Sequence, residues 1–145
     1  MSRRFYLGVA SLNHITTAVE LGVCQFGHGN RSSVAELGPG DWLVYYATRE
    51  FMDSGDKVQA FTAIGEVSNG EIESVSKDGR AFYCRPVEYR IGAREVSVRE
   101  VLDDLTFVSD KRNWGISFRG SKREIPGDDF RVIAKAMGIA PPDED

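Results

Sequence analysis

Residues 22–30 bring together the side chains of this sequence that are best suited to chemistry. They include a thiol at Cys24, an amide at Gln25 and an imidazole at His28, among three glycines. A cysteine near a histidine could form a nucleophile and its base, as Cys–His hydrolases require. However, no carboxylate lies near either histidine in the sequence, and a free cysteine most often packs as a small buried side chain. A small Cys/His-dependent enzyme is therefore kept only as an alternative.

The same residues also suit a pocket for a flat polar molecule. Gln25 and backbone groups beside the glycines could read the edge of a nucleobase, while Phe26 could stack on its face. Tyr45 and Tyr46 follow in the next aromatic run, and Trp114 lies in a second glycine-containing segment. Aromatic rings beside amides are a general solution for holding an unpaired or flipped base. The pattern therefore indicates a pocket of nucleobase size.

Composition and charge restrict the kind of partner that we expect. A formal net charge of −4 over 145 residues disfavours broad binding of nucleic acid by charge alone. The segment 111–123 nevertheless contains cations and no acid, so it could hold phosphates at one edge of an acidic protein. The cations that we assign to a nucleic-acid backbone are Lys111, Arg112, Arg119, Lys122 and Arg123.

The sequence predicts no metal, cofactor or membrane segment. Its two cysteines lie far apart and it has only two histidines, so no metal-ligand spacing is present. It has neither an apolar run of about 18 residues nor an apolar leader, and we expect a cytoplasmic protein with reduced thiols. The length predicts one domain over residues 1–139, followed by a frayed acidic tail at residues 140–145.

The elements that must position the pocket follow from periodicity and turn signals. Apolar runs predict strands over residues 5–10, 42–48 and 57–67, with further strands at 71–76 and 80–89. Helices are predicted after Ser11 and Ser97, the first one ending at Gly22, and a last helix is predicted with Pro126 as its first residue. Strands outnumber helices and hairpin-like turns join most of them. We expect an α+β fold, a mixed but mostly antiparallel β-barrel of about six strands flanked by short helices.

Finer predictions concern the faces and irregularities of these elements. In the strand 42–48, Trp42 and Tyr46 should share one face and Tyr45 the other, because side chains alternate along a strand. Tyr46 is the ring that we expect to reach a ligand, with Trp42 in the core. We also expect a capping box of Ser33 with Glu36, a bulge at Gly65 and an irregular segment at residues 113–118.

Five ordered motifs resemble the EVE-domain family of PUA-like proteins, and together they run through nearly the whole chain. They are SLNH at residues 11–14, GVCQFGHG at 22–29, GDWLVYY at 40–46, QAFTAIG at 59–65 and DKRNWGISFR at 110–119. The chain departs from the family at Asn30, where bacterial relatives often have lysine, and at Phe26, where some have leucine. Those changes could alter ligand preference without altering the fold.

The resemblance implies a PUA-like barrel related to YTH domains, which read methylated adenine in RNA. EVE domains are thought to bind modified bases, such as methylated cytosine, and often serve in restriction-type defence. For this chain it implies a non-catalytic nucleic-acid reader of a modified, methylated nucleobase in DNA or RNA. The implied ligand-binding residues are Cys24, Gln25, Phe26, Gly27, His28, Tyr45, Tyr46, Trp114, Ser117 and Phe118.

Two further alternatives stay open at this point. The pocket could bind a free small molecule, or the chain could be an accessory module whose partner effector protein supplies the activity. His14 could serve as a base, but we expect it to join the first helix to the loop.

Overall fold

The computed structural model of the chain describes residues 3–27 and 29–140. Its strands are β1 (Phe5–Ala10), β2 (Val23–Cys24), β3 (Trp42–Arg49), β4 (Lys57–Val67), β5 (Glu73–Lys77), β6 (Arg80–Tyr89), β7 (Val96–Ser97) and β8 (Lys122–Glu124). Its helices are α1 (Leu12–Leu21), α2 (Arg31–Ala35), α3 (Val98–Val101) and α4 (Gly127–Ala136). Two 3-10 helices, Leu102–Asp104 and Trp114–Phe118, complete the elements. The expected tail begins at residue 140, and residues 141–145 lie outside the described residues.

One mixed sheet forms the body of the fold. Its hydrogen-bonded order is β2-β6-β4-β3-β1-β8, with β5 paired to β6 and β7 paired to β4 at the sides. The central strands β1 and β3 run parallel, in a register that joins Phe5 to Trp42, whereas the other pairs are antiparallel. The α+β fold is as predicted, and the six-stranded path forms a curled half-barrel.

The sheet buries a separate apolar cluster on each face, because successive strand residues point to opposite sides. From β3, Trp42 and Tyr46 enter the first cluster, which helix α4 covers through Phe130 and Ile133. Tyr45 enters the second cluster, which α1 covers, together with Cys24, Phe26 and Tyr6. The predicted division of β3 into two faces is therefore confirmed.

The helix boundaries follow from their caps. The Ser11 hydroxyl accepts a hydrogen bond from the His14 amide at the start of α1, and Gly22 ends that helix with a φ of 68°. The Ser97 side chain and Glu100 form a capping box at α3. Pro126 is the N-cap residue of α4 rather than its first residue.

Two local predictions are wrong. The N-cap of α2 is Asn30, whose side chain accepts from the Ser32 amide, and no Ser33–Glu36 capping box forms. The predicted bulge at Gly65 is also absent. The first register shift between β3 and β4 lies further along, where Tyr45 pairs with Ala63 but Tyr46 pairs with Phe61.

Several short elements were not predicted from the sequence, and two of them lie within or next to the basic segment. Residues 122–124 of the basic segment form β8 on the edge of β1, and residues 114–118 form a short 3-10 helix instead of irregular chain. Both short segments lack a periodic pattern long enough to be recognised.

Gly65 matters because two strands approach closely there. A Cβ at this position would lie 2.6 Å from the Glu88 carbonyl oxygen and 2.9 Å from Tyr89 Cα, both backbone atoms of β6. We predict that Gly65→Ala lowers the free energy of unfolding by about 1–3 kcal/mol through this overlap. Chemical denaturation measures the change. Gly38→Ala is the control, since its nearest atom would lie at an ordinary 3.7 Å; equal stabilities of the two variants would contradict the prediction.

Candidate functional site

Two cavities open beside the carboxyl ends of β1 and β3. The first, which we call the loop cavity, has a volume of about 310 Å³. It is lined by Val9, Ala10, Ser11, His14, Gln25, Phe26, Gly27, Met52, Phe82 and Ser121. The second, which we call the tryptophan cavity, has a volume of about 580 Å³. It is lined by Tyr46, Thr48, Gln59, Arg112, Asn113, Trp114, Gly115, Ile116, Phe118 and Arg119.

The backbone of Gln25 is held from two sides in the loop cavity. The Tyr45 hydroxyl lies 3.2 Å from the Gln25 carbonyl oxygen and 3.3 Å from its amide nitrogen. His14 Nε2 lies 3.3 Å from the same carbonyl oxygen, so His14 joins α1 to the loop as predicted. No hydrogen bond joins the Gln25 side-chain amide to another described residue. Its donor and acceptor are thus available to a ligand in the cavity.

Burial sets the protonation state of His14. Desolvation lowers the pKa of this imidazole, and the hydrogen bond to Gln25 only partly opposes that effect. The ring is therefore neutral at neutral pH. Because a carbonyl oxygen can only accept, Nε2 carries the proton and Nδ1 is left as an acceptor. Together with the Ser11 hydroxyl and the Gln25 amide, this gives the loop cavity several polar edges without a formal charge.

Two glycines allow the loop to sit close against the sheet. A Cβ on Gly8 would lie 2.7 Å from the Tyr45 ring and 2.8 Å from the Phe26 ring, so these rings pack directly on the β1 backbone. Gly29 has a φ of +83°, and a Cβ there would lie 2.9 Å from Phe82 Cα. The Gly29 carbonyl also accepts a hydrogen bond of 3.0 Å from the Tyr83 amide. The loop is thereby fixed to β6, beside the Phe82 ring.

The predicted loop residues contribute unequally to the cavity. Gln25, Phe26 and Gly27 line it, although the Phe26 ring is only 3% exposed and forms a wall rather than an open stacking platform. Cys24 and Tyr45 are 0% exposed and belong to the core beneath. The structure therefore does not bring these two side chains into the cavity. His28 lies outside the described residues.

Burial also alters the chemistry of the thiol. Desolvation raises the pKa of Cys24 to about 12, against weaker opposing effects of Arg85 and Lys122. A thiol is nucleophilic as its thiolate, so this environment suppresses the chemistry that a cysteine hydrolase needs.

The predicted aromatic wall is divided between the two cavities. Tyr46, Trp114 and Phe118 line the tryptophan cavity, on the other face of the sheet from Phe26 and Tyr45. The Phe118 ring lies 4.4 Å from Tyr46 and 5.9 Å from Trp114, between ring centroids. Trp42 packs edge-on against Phe130 in the core, and Tyr46 reaches the cavity, as expected. The loop residues and Trp114 therefore line two different cavities and do not form one site.

The two lysines among the five predicted phosphate-binding cations donate hydrogen bonds to oxygen atoms of the protein itself. Lys111 Nζ donates to the Leu105 and Leu102 carbonyl oxygens, at 2.6 and 3.1 Å, beside the 3-10 helix that follows α3. Lys122 Nζ lies 2.7 Å from both the Ser33 carbonyl oxygen and a Glu36 carboxylate oxygen, and its side chain is only 10% exposed. Both lysines therefore have partners within the protein, and their contact with a nucleic acid stays a prediction.

The three arginines remain at the surface. Arg112 and Arg119 are exposed and line the tryptophan cavity. The Arg123 guanidinium lies 5.0 Å from the centre of the Phe107 ring and donates a hydrogen bond to the Ser117 backbone carbonyl oxygen. Ser117 is half-buried, and its backbone holds the Arg123 side chain in place.

Sequence reasoning missed Phe82, Met52, Gln59 and Thr48 as cavity residues. Phe82 belongs to a strand in which polar and apolar residues alternate. Nothing in that pattern indicates that Gly29 packs against it. Met52 is an apolar residue in the mostly polar loop 50–56, which was the available sequence signal for a binding contact. In the structure its side chain is 72% exposed. Gln59 and Thr48 meet across a bulge, whose position depends on strand register rather than on local sequence.

The described residues contain no group of three or more His, Cys, Asp or Glu side chains that could hold a metal ion. Within the same ranges, no helix has the length and apolar character needed to cross a membrane.

Comparisons with known proteins agree on the family and on the fold. A family model described as "EVE domain" matches residues 5–136. UPF0310 protein msl3206 of Mesorhizobium japonicum is 36% identical over 137 residues, covering 92% of this chain and 91% of the relative. UPF0310 protein YdcG of Bacillus subtilis is 31% identical over 140 residues, covering 96% and 95%.

Two solved structures resemble the fold at low identity. Protein Atu2648 from Agrobacterium tumefaciens has a TM-score of 0.60 at 15% identity, with 98% of each chain covered. The YTH domain-containing protein mmi1, in a complex with RNA, has a TM-score of 0.62 at 9% identity, covering 94% of this chain and 82% of that one.

The burial of Cys24 predicts an unreactive thiol. With a pKa of about 12, only about 1 in 10,000 of these groups is ionised at pH 8, and the reactive fraction should rise with pH toward that value. We predict that folded Cys84→Ser protein reacts with an aromatic disulfide reagent far more slowly than the same protein in guanidinium chloride. Absorbance of the released thiolate measures both rates. A full equivalent released at once from folded protein at pH 8 would contradict the prediction.

Proposed function

The chain belongs to the EVE-domain family, and from this premise we propose that it is a non-catalytic nucleic-acid reader that holds a modified, methylated nucleobase in the loop cavity. The observation that carries the proposal is the Gln25 side-chain amide, which lines that cavity and has no hydrogen-bond partner among the described residues. A half-buried amide whose donor and acceptor have no partner among the described residues is suited to the edge of a base, which presents both groups.

The lining divides into polar and apolar parts that match a methylated base. Gln25, Ser11 and His14 Nδ1 supply hydrogen-bonding groups for the edge. The half-buried Phe82 ring offers its surface to the base plane, and Met52 adds a soft apolar contact for a methyl group. The volume of about 310 Å³ lies at the lower end of the range of about 300–1,000 Å³ for small-ligand pockets.

A base reaches such a cavity only when it is unpaired or flipped. A flipped base carries its sugar and phosphates to the cavity mouth, where cations can hold them. Arg112, Arg119 and Arg123 are three of the predicted cations, and all three are exposed. Because they are few and the net charge is −4, we expect specific binding with a shallow salt dependence, of about two or three phosphate contacts.

The similar fold of a YTH domain bound to RNA supports this proposal in general terms. That neighbour is held in complex with RNA, and its fold covers 94% of this chain. At 9% identity the likeness concerns the fold, so the choice of base rests on the cavity residues themselves. The buried thiol of Cys24 speaks against the alternative of a cysteine-dependent enzyme. An effector protein would act on the strand that this chain binds.

Substitution of Gln25 should weaken binding of the modified base. We predict that Gln25→Ala raises the Kd of a short strand containing the preferred modified base by about 5- to 100-fold, the equivalent of about 1–3 kcal/mol of base-edge hydrogen bonding. Fluorescence anisotropy, with strands that contain methylated cytosine, methylated adenine or neither, measures each Kd. Asn69→Ala removes an exposed amide from the turn between β4 and β5 and should leave the Kd unchanged.

The comparison also separates the alternatives. Tighter binding of one methylated strand than of its plain counterpart supports the reader. Equal binding of all strands contradicts it, and equal binding of a free modified nucleoside and the strand favours a small-molecule receptor.

A further inference from the structure

The proposed function places the modified base in the loop cavity and uses only Arg112 and Arg119 of the tryptophan cavity, for phosphates. We propose that the tryptophan cavity binds a nucleoside phosphate, the one that follows or precedes the modified base along the same strand. That the bound nucleotide belongs to this strand rests on the proposed function. The preference for a nucleoside phosphate is argued from the residues that line the cavity. The chain would then contact two neighbouring nucleotides, one in each cavity.

The charge of the site selects an anion. Arg112 and Arg119 line the cavity, and Arg99 lies behind it, with its guanidinium 5.3 Å from the centre of the Trp114 ring. No described aspartate or glutamate lines the cavity, and none forms an ion pair with these three arginines. Guanidinium groups bind phosphate through two parallel hydrogen bonds, which makes phosphate a suitable occupant.

Rings and amides in the same cavity select a flat group attached to that anion. Trp114 is half-buried, and its edge-on contact with Phe118 at 5.9 Å holds the ring in place. Burial raises the pKa of Tyr46 to about 12, so its hydroxyl stays protonated and can donate a hydrogen bond. Asn113 and Gln59 add amides at the wall. A carboxylate or a phosphorylated side chain would use the arginines but not the ring.

The backbone at Gln59 is strained in a way that directs its side chain into the cavity. Its φ of 51° lies in the left-handed region, which residues other than glycine rarely adopt. The register places two residues of β4 opposite Thr48 alone, between the pairs Ala47–Ala60 and Arg49–Lys57. Such bulges re-aim a side chain beside a site. Here the Gln59 side-chain oxygen Oε1 accepts a hydrogen bond of 2.9 Å from the Arg99 guanidinium, which links this amide to the arginine behind Trp114.

The loop that carries Arg112 and Trp114 is ordered before any ligand arrives. The Asp110 carboxylate accepts hydrogen bonds from the Arg112 and Asn113 backbone amides, at 3.0 and 3.2 Å, and from the Asn113 side chain at 3.0 Å. The Asn113 side-chain bond is the main reason that the pKa of Asp110 lies below its usual value. A preorganised loop loses little conformational freedom on binding.

The two cavities adjoin each other. Thr48 lines the tryptophan cavity, and its hydroxyl lies 3.4 Å from the carbonyl oxygen of Ala10, which lines the loop cavity. Arg119 and Ser121 likewise line one cavity each and are separated by Gly120 alone, so their Cα atoms lie within about 7 Å. Neighbouring nucleotides in one strand of a duplex are about 3.4 Å apart along the axis, and a flipped base allows more. One strand can therefore reach both sites.

The two tryptophans allow the site to be observed directly. Trp42 is buried in the core, so the indole N–H signals of Trp42 and Trp114 should be resolved in nitrogen–proton spectra, with Trp114→Phe assigning them. We predict that a dinucleotide or trinucleotide with the preferred modified base shifts the Trp114 signal and leaves that of Trp42 in place. A free 5′-nucleotide at higher concentration should shift it as well.

Arginine substitutions give the second measurement. The double variant Arg112→Ala/Arg119→Ala should raise the Kd of the trinucleotide at least about 10-fold and lower the salt slope by about 1.4, since each phosphate contact of a single strand contributes about 0.7. Lys135→Ala removes an exposed cation from α4 and serves as the charge control, with the Kd nearly unchanged.

The outcomes distinguish this proposal from the base reader. If the modified strand binds while the Trp114 signal stays in place, the second site is refuted and the reader stands, since Arg112 and Arg119 then hold only the phosphates of the modified nucleotide. If no strand binds but a free nucleotide shifts Trp114, the nucleotide site stands and the reader is refuted. If neither ligand moves the signal and no strand binds, both are refuted.

Discussion

The alternation of side chains along β3 is the constraint on which the rest of the structure depends. Tyr45 and Tyr46 are neighbours in sequence, but a strand directs them to opposite faces of the sheet. Tyr45 is therefore buried with Phe26, and its hydroxyl holds the Gln25 backbone, while Tyr46 packs against Phe118 beside the arginines. One strand thus supports two cavities, which adjoin each other only where β1 and β3 end.

Close backbone contact is what turns a glycine-rich loop into a shaped cavity. Gly8 lets the Phe26 and Tyr45 rings lie on β1, and Gly29 lets the loop meet Phe82 on β6. The loop is thereby fixed against both β1 and β6. The Gln25 side chain is then the polar group of the loop that can adjust to a ligand. Lys122 adds to this support through its contacts with the Ser33 carbonyl oxygen and the Glu36 carboxylate.

Much of the fold could be predicted from the sequence, because strong local signals specify it. Ser11 and Gly22 bound α1 as expected, and the faces of Trp42, Tyr45 and Tyr46 follow from a period of two. The site was harder to predict, since it depends on how the sheet curls. No local pattern reveals that Trp114 and Phe26 lie on opposite faces, that Lys111 binds helix-end carbonyls, or that a bulge turns Gln59 toward Thr48. Those features come from register and from contacts between segments distant in sequence.

The most direct test of the account is a crystal structure of the chain bound to a trinucleotide with its preferred methylated base at the centre. The account predicts that this base lies in the loop cavity, with its edge on the Gln25 amide and its plane on Phe82. A methylated base that instead lies in the tryptophan cavity, or stays outside both cavities, would contradict it.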